Sequence, residues 1–346
     1  MKIIITGGAG FIGSNAAEFY AKKKSDVVIF DNLSRKGSNL NITYLVKTYP
    51  NIQFIRGDLS NPSDIRLLLK QIKNADVILH LAAQTAVTYS ILNPSNDFNM
   101  NARGTLNLLE SVRKFKESGI NNPIIIYSST NKVYGEMGAI KTIKTGKGYN
   151  YVKLDGINEN QNLEFYTPYG CSKGIGDQYM INYNKIYGLR TVVMRQSCVY
   201  GCRQYGKEDQ GWVAWFIIAN ILNKRVTIYG DGYQVRDLLF VDDLINAYNL
   251  AVKNIEKTSG KAYNIGGGRE NSLSINNFLL ILERLSGRKI KIKRDKWRSG
   301  DQKVCVMNYS KAKRDFGWTP EINVKKGIPI IYKWLVENKK DLELIY

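Results

Sequence analysis

The run Ile3-Ile4-Ile5-Thr6-Gly7-Gly8-Ala9-Gly10-Phe11-Ile12-Gly13 decides the fold. Its three branched apolar residues read as a strand buried on both faces, and the residues from Phe11 to Lys24 read as a helix. Glycines stand between them at positions 7, 10 and 13. Such a turn bends tightly, lets backbone approach a pyrophosphate at the helix N-terminus, and packs helix closely on strand. This is the opening of a dinucleotide-binding unit, with Gly7, Gly10, Phe11, Ile12 and Gly13 expected at the cofactor.

Outward from that run, β-rich segments alternate with helical ones. Strands are expected over Lys2–Thr6, Val27–Asp31, Gln53–Gly57, Val77–Leu81, Ile124–Ser128 and Arg190–Arg195. Helices are expected over Phe11–Lys24, Pro62–Ile72 and Asn101–Glu117. The order implies an α/β fold: a Rossmann-type doubly wound parallel sheet with a smaller C-terminal α/β domain. The first domain is expected over residues 1–190, joined by part of 226–260, and the second over 191–346. Gly135–Glu164 reads as a long loop, Gly266-Gly267-Gly268 as a turn, Ser274–Ser286 as a helix and Arg288–Arg298 as a basic stretch. No internal repeat or flexible linker separates the halves, so they are expected to share an interface and exchange elements.

Composition limits the function. Of 346 residues, 44% are hydrophobic and 23% charged, which excludes a disordered or collagen-like chain. Fifty Lys and Arg against 30 Asp and Glu give a net charge of +20. That excess fits an anionic partner or a lysine-rich solvated surface. The single histidine, His80, excludes mechanisms that need two, and it reads as packed at a strand end. Cys171, Cys198, Cys202 and Cys305 form no disulfide framework. Cys198 and Cys202 are spaced like two metal ligands with no second pair nearby, so no metal is expected. The N-terminus lacks the apolar core of a signal peptide, and the longest nearly apolar run, Trp212–Leu222, is shorter than the ~18 residues of a spanning helix. A cytoplasmic protein with no membrane partner is expected. A rival from another class, a non-enzymatic RNA-binding regulator on the same scaffold, finds no concentrated basic helix or aromatic-lined motif, and no nucleic-acid partner is expected.

The cofactor reading extends along the strand ends. Asp31 closes the second strand, where a carboxylate accepts from an adenosine ribose and repels a 2′-phosphate; this favours NAD, with Arg35 the one nearby cation that speaks for NADP. Asp58-Leu59 suits adenine contact, and the small residues of Leu81-Ala82-Ala83 let the cofactor lie against backbone. Tyr169 and Lys173 share a helix face behind Thr167-Pro168, an N-cap followed by proline at the first helical position. Of four Tyr-x-x-x-Lys pairs in the chain, only this one joins a capped helix start to a following strand and a preceding Ser-Ser-Thr strand end. A free phenol, with a pKa of about 10, is a poor base at neutral pH. A nearby ammonium and a positive nicotinamide favour its phenolate. Lys173 is also expected to bond the nicotinamide ribose, and Thr130 the reacting hydroxyl.

Together the runs TGGAGFIG, HLAAQ, NARGTLNLLE, SSTNKVYG and YGCSK resemble the extended short-chain dehydrogenase/reductase family of nucleotide-sugar enzymes. The resemblance covers nearly the whole chain, including Tyr229-Gly230-Asp231-Gly232, Val235-Arg236-Asp237 and Gly317-Trp318-Thr319-Pro320. It implies a tightly bound NAD, catalytic Thr130, Tyr169 and Lys173, a nucleotide-sugar site in the second half, and a homodimer or homotetramer paired through helices of the first domain. It adds Asn32, Asn101, Ser128 and Gln196 to the cofactor set and assigns Gln84, Thr130, Ser197, Cys198, Gln204, Arg236 and Arg298 to the substrate. Arg236 and Arg298 match positions that clamp a pyrophosphate, which suits planar guanidinium groups. Trp212 is a further candidate for sugar or base contact, or else core. The 4,6-dehydratases of the family carry Asp-Glu after the catalytic Ser or Thr, whereas this chain has Asn131-Lys132, which argues for epimerisation. Met194–Gln204, the run Glu208–Phe216 and Gln84-Thr85-Ala86-Val87 resemble the group that inverts C2 of a CDP-linked deoxyhexose, CDP-paratose, although Cys198 and Cys202 depart from its pattern. The UDP-hexose 4-epimerases are the alternative.

Overall fold

The computed structural model describes residues 1–298 and 300–346. Ile3, Ile4 and Ile5 have no exposed surface, and the strand they occupy separates two apolar layers. Ile3 and Ile5 pack with Ala17, Ala21 and Leu45 on one face, while Ile4 packs with Leu68, Leu109 and Met180 on the other. Alternate side chains of a strand point to opposite faces, so a sheet covered twice needs an apolar residue at every position. Each fully buried isoleucine contributes about 1.5–3 kcal/mol of transfer free energy.

The large sheet begins with β1 (Lys2–Thr6), α1 (Phe11–Lys22), β2 (Asp26–Asp31), α2 (Ser38–Thr48) and β3 (Ile52–Arg56). After α3 (Pro62–Ile72) the chain returns to the other side of β1 as β4 (Val77–His80). It continues through α4 (Gly104–Glu117), β5 (Ile124–Thr130), α5 (Pro168–Tyr187) and β6 (Thr191–Gln196). The short strand β7 (Cys198–Tyr200), β8 (Val235–Phe240) and β9 (Lys261–Ile265) follow. The spatial order is β9-β6-β5-β4-β1-β2-β3, and every pair is parallel. The winding reverses between β1 and β4, where a doubly wound sheet opens a crevice at its carboxyl ends.

Where the second half begins differs from the expected boundary. The large sheet does not end at residue 190: β6 pairs with β5, placing Thr130 opposite Gln196, and β9 at Lys261–Ile265, just past 226–260, closes the edge. A strand joins whichever edge presents free backbone groups, and periodicity along the chain does not say which edge that is. The smaller sheet is built on β8, which pairs with β7, Ser272–Ser274 and Val304–Cys305. Asp237 in β8 is fully buried; its Oδ2 accepts from the amides of Gly268 and Met307, and Ser197 donates to its Oδ1. Burial pushes this carboxyl up to about 6 against those bonds. The expected loop over 135–164 contains a hairpin, Thr142–Thr145 with Gly148–Tyr151. The expected helix from Asn101 begins as a π-turn over Asn99–Arg103, before α4. Among the described residues, no helix is long and apolar enough to cross a membrane.

Candidate active site

The glycine turn closes as its spacing requires. Gly7 leaves β1 at φ +70°, and a Cβ there would stand 2.7 Å from the Ala82 amide nitrogen. A Cβ at Gly13 would overlap the Gly7 carbonyl oxygen, so α1 seats on the turn only with glycine. Gly10 caps α1 with no side-chain bond, which leaves the first turn of the helix without an acceptor of its own. Gly7, Gly10, Phe11, Ile12 and Gly13 line one wall of a cavity of about 390 Å³. Asp31 and Asn32, Asp58 and Leu59, and Leu81, Ala82 and Ala83 continue that wall. The Asp31 carboxylate accepts from Ala9 N at 3.0 Å and Leu33 N at 2.8 Å; burial raises its pKa while those amides lower it. Asp58 accepts from Ser60 N and from Asn32 Nδ2, both at 2.8 Å, and these bonds outweigh burial to hold its carboxyl below the usual range. An uncapped helix start, glycines where a Cβ would fill the cradle, and a carboxylate at the second strand end fit a dinucleotide.

The opposite wall carries the acid–base candidates. Thr167 caps α5, its hydroxyl accepting from Gly170 N at 3.1 Å with Pro168 next in line. This sets Tyr169 and Lys173 on one face of the first turns, and both line the cavity. β5 ends in Thr130, whose hydroxyl is near enough to the Tyr169 phenol to favour its ionised form. Burial pushes the Tyr169 phenol up to about 12; the Thr130 hydroxyl and the Arg35 charge oppose this, and Asp97 adds to it. The Lys173 ammonium is pushed down to about 7 by burial, against the pull of Asp177 and Asp97. It stands 4.2 Å from the centre of the Tyr127 ring. Ser128 accepts from Gln196 Nε2 at 2.7 Å, and Tyr248 donates to Gln196 Oε1 at 2.8 Å. His80 is packed, with its ring nitrogens 2.8 and 2.9 Å from the hydroxyls of Thr6 and Thr105, and burial lowers it to about 3.

Ser128, Gln196, Ser197, Cys198, Gln204 and Trp212 also line the cavity. The Gln204 side-chain oxygen has no partner although the residue is buried. Trp212 lines the cavity, and its ring meets Phe216 and Phe278 edge to face. Four candidates lie elsewhere. Asn101 and Gln84 sit behind the wall and bind each other: Asn101 Oδ1 accepts from Gln84 N at 2.8 Å, and Asn101 Nδ2 donates to Ser172 Oγ at 2.9 Å. Arg236 is buried on β8 with Nη2 2.6 Å from Asp301 Oδ1. Arg298 lies over the Tyr229 ring, its guanidinium carbon 3.8 Å from the ring centre. The two arginines expected to clamp a pyrophosphate thus each have a protein partner, Asp301 for Arg236 and the Tyr229 ring for Arg298.

Further contacts build the wall and the elements behind it. Arg35 donates to Gln210, and Thr88 donates to Asp209 at 2.9 Å, so the segment around 209–210 crosses to the first domain. Lys132 lines the cavity two residues beyond Thr130. Asp177 and Arg195 form a buried two-point ion pair at 2.8 and 2.9 Å that ties α5 to β6. Their only signal was charge inside apolar elements.

The family described as GDP-mannose 4,6 dehydratase matches residues 4–331. A CDP-paratose 2-epimerase from Salmonella typhi is 44% identical over 341 residues, covering 96% of this chain and 99% of its own. A UDP-glucose 4-epimerase from Thermotoga maritima, solved with UDP-glucose, superposes with a TM-score of 0.83 at 30% identity over 98% of this chain and all of the other. A dTDP-glucose 4,6-dehydratase from Streptomyces venezuelae, solved with NAD bound, gives 0.84 at 26% identity with both chains fully covered.

Proposed function

The chain belongs to the extended short-chain dehydrogenase/reductase family of nucleotide-sugar epimerases and dehydratases, and we propose that within it this protein inverts C2 of CDP-paratose to give CDP-tyvelose, using a retained NAD. The observation that carries the reading is the meeting of Thr130, Tyr169 and Lys173 with the glycine turn on one cavity. The identity of 44% to a CDP-paratose 2-epimerase supports the substrate. Asn131-Lys132 after Thr130 supplies no carboxylate for removing water, which favours epimerisation over dehydration.

NAD, when bound, takes up a hydride from the carbon bearing the reacting hydroxyl and returns it. The turn at Gly7–Gly13, Asp31, Asp58 and the Leu81–Ala83 backbone hold it, and Lys173 reaches its nicotinamide ribose. Tyr169 accepts the proton of the C2 hydroxyl as the ketone forms and donates it back as the alcohol is restored. Thr130, near Tyr169, keeps that hydroxyl in line. A bound NAD would supply positive charge that favours the Tyr169 phenolate. Cys198, Gln204 and Trp212 form the wall against which the ketone turns to present its other face. Subunits pair through helices of the first domain; Tyr179 and Ile186 of α5 are exposed apolar surface available for it.

A second reading, C4 inversion of a UDP-hexose, is favoured by the likeness to the Thermotoga maritima enzyme. Incubation with CDP-paratose and, separately, UDP-glucose followed by product identification decides between them. CDP-tyvelose is the expected product, and UDP-galactose alone overturns the C2 reading. Release and weighing of the bound nucleotide is expected to return the mass of NAD.

A further inference from the structure

Lys132 stands beside the acid–base candidates. It lies on the 3₁₀ turn Asn131–Tyr134, and its backbone amide donates to Thr130 Oγ1 at 3.2 Å. The lysine is therefore tied to the Thr130 hydroxyl. Its side chain lines the cavity. The ammonium makes one contact, with the Gly300 carbonyl oxygen at 3.4 Å, and no ion pair among the described residues. The charged groups that face it are Arg236 and Asp301, with the Cys198 and Cys305 thiols beside them. Asp301 is already committed to Arg236 at 2.6 Å. One carboxylate thus serves two cations, and the half-buried Lys132 charge has no carboxylate of its own among the described residues. Withdrawing an ammonium from water without a counter-charge is costly, and an anionic oxygen placed against it lowers that cost.

The proposed position of the chemistry says which oxygen this is. In a nucleotide sugar the diphosphate hangs from C1. C1 adjoins C2, while C4 lies across the ring. If C2 reacts at Thr130 and Tyr169, the sugar-linked phosphate must lie beside them, where Lys132 stands. If C4 reacts there, ring substituents meet the lysine and the phosphate is held further away.

Resting on the C2 reading above, we infer that Lys132 binds the sugar-linked phosphate of the substrate and, by anchoring it next to Thr130, directs the reaction to C2. Anchoring close to the reacting carbon also lets the ketone turn about the C1–oxygen bond without carrying C2 away from Tyr169. Arg236, locked to Asp301, shapes the field around the lysine.

The test uses the NAD-loaded wild type, Lys132→Met and Lys132→Arg. Calorimetric titration with CDP and with CMP separates the sugar-linked phosphate, which only CDP carries, from the rest of the nucleotide. For Lys132→Met, CDP affinity is expected to fall at least tenfold and CMP affinity by less than twofold. NAD content and thermal midpoint should be unchanged, and Lys132→Arg should recover most of the CDP affinity. Equal losses for CDP and CMP, or none, overturn the phosphate assignment, as does a Lys132→Met protein that binds CDP weakly only because it has lost NAD. With CDP-paratose, C2 inversion by Lys132→Met should fall with KM rising more than kcat falls; an unchanged KM overturns the directing role. A wild type that inverts only C4 of UDP-glucose overturns the C2 reading instead, and the phosphate assignment is then decided with UDP against UMP.

Discussion

Tyr169 and Lys173 share a helix turn but are tuned in opposite directions, and each shift makes its own prediction. Burial keeps the phenol protonated, up to about 12, so its use as a base depends on charge supplied beside it. Tyr169→Phe retains the ring and loses the proton acceptor; turnover should fall about a thousandfold, within the usual range for acid–base residues, while bound NAD is unchanged. Loss of NAD from that variant, or near-normal turnover, counts against the role. Lys173 titrates near 7 when folded and near 10.4 when unfolded. Between those values the unfolded chain holds a proton that the folded chain has released, so this group raises stability as pH climbs from about 7 to about 10. Below 7 its destabilising effect is fully present. NAD-free Lys173→Met should therefore resist urea better than NAD-free wild type at pH 6, with the gap closing by pH 10. A variant less stable at pH 6 would show that the ammonium is not buried uncompensated. The pair itself was legible because its spacing, cap and proline are local. Of the charges that tune it, Asp97 and Arg35 lie on other elements and left no local mark, while Asp177 stands one turn beyond Lys173 on α5 itself.

At the scale of elements, the glycine turn is a tight join. Gly13→Ala drives a Cβ into the Gly7 carbonyl, which forces α1 off the turn. Overpacking of this kind costs about 1–3 kcal/mol, and it also moves the uncapped helix start. The variant should show a lower unfolding midpoint in urea and purify without nucleotide. Normal stability with NAD in place would mean that the turn has room the geometry denies. Strand and helix periodicity made β1 to β6 readable nearly to the residue, since burial on both faces leaves unbroken apolar runs such as Ile124-Ile125-Ile126. What periodicity does not encode is partnership. β9 completes the large sheet from 65 residues beyond β6 in register Ile265 to Gln196, and nothing in Lys261–Ile265 names that edge. The π-turn at Asn99–Arg103 has a similar origin: Asn101 is held by Gln84 and Ser172, and those bonds distort a segment that otherwise reads as the first turn of a helix. The same bonds explain why Asn101 and Gln84 look like site residues in sequence yet stand behind the wall.

Across the whole molecule, the cavity is closed by pieces of chain far apart in sequence. Arg35 and Gln210 are 175 residues apart, Thr88 and Asp209 are 121 apart, and the Tyr346 hydroxyl reaches Gly206 O at 2.6 Å across 140. The segment from Gln204 to Gly211 therefore acts as a strap from the second half, fastened to the β2–α2 loop on one side, to the helix at Val87–Leu92 on another, and braced by the C-terminal residue from behind. A dinucleotide lying along the carboxyl ends of β1 and β4 would sit beneath that strap, so its escape requires both fastenings to open. Retention of NAD should then depend on Thr88 and Gln210, neither of which belongs to the glycine turn. In the double variant Thr88→Ala with Gln210→Ala, two hydrogen bonds are removed, one of them from a charged donor and one to a charged acceptor; such bonds contribute about 1.5–3 kcal/mol each. NAD loss on prolonged dialysis, followed by absorbance and mass, should be at least tenfold faster than from wild type. Equal retention by variant and wild type would place the hold on NAD entirely in the first domain and leave the strap to the substrate alone.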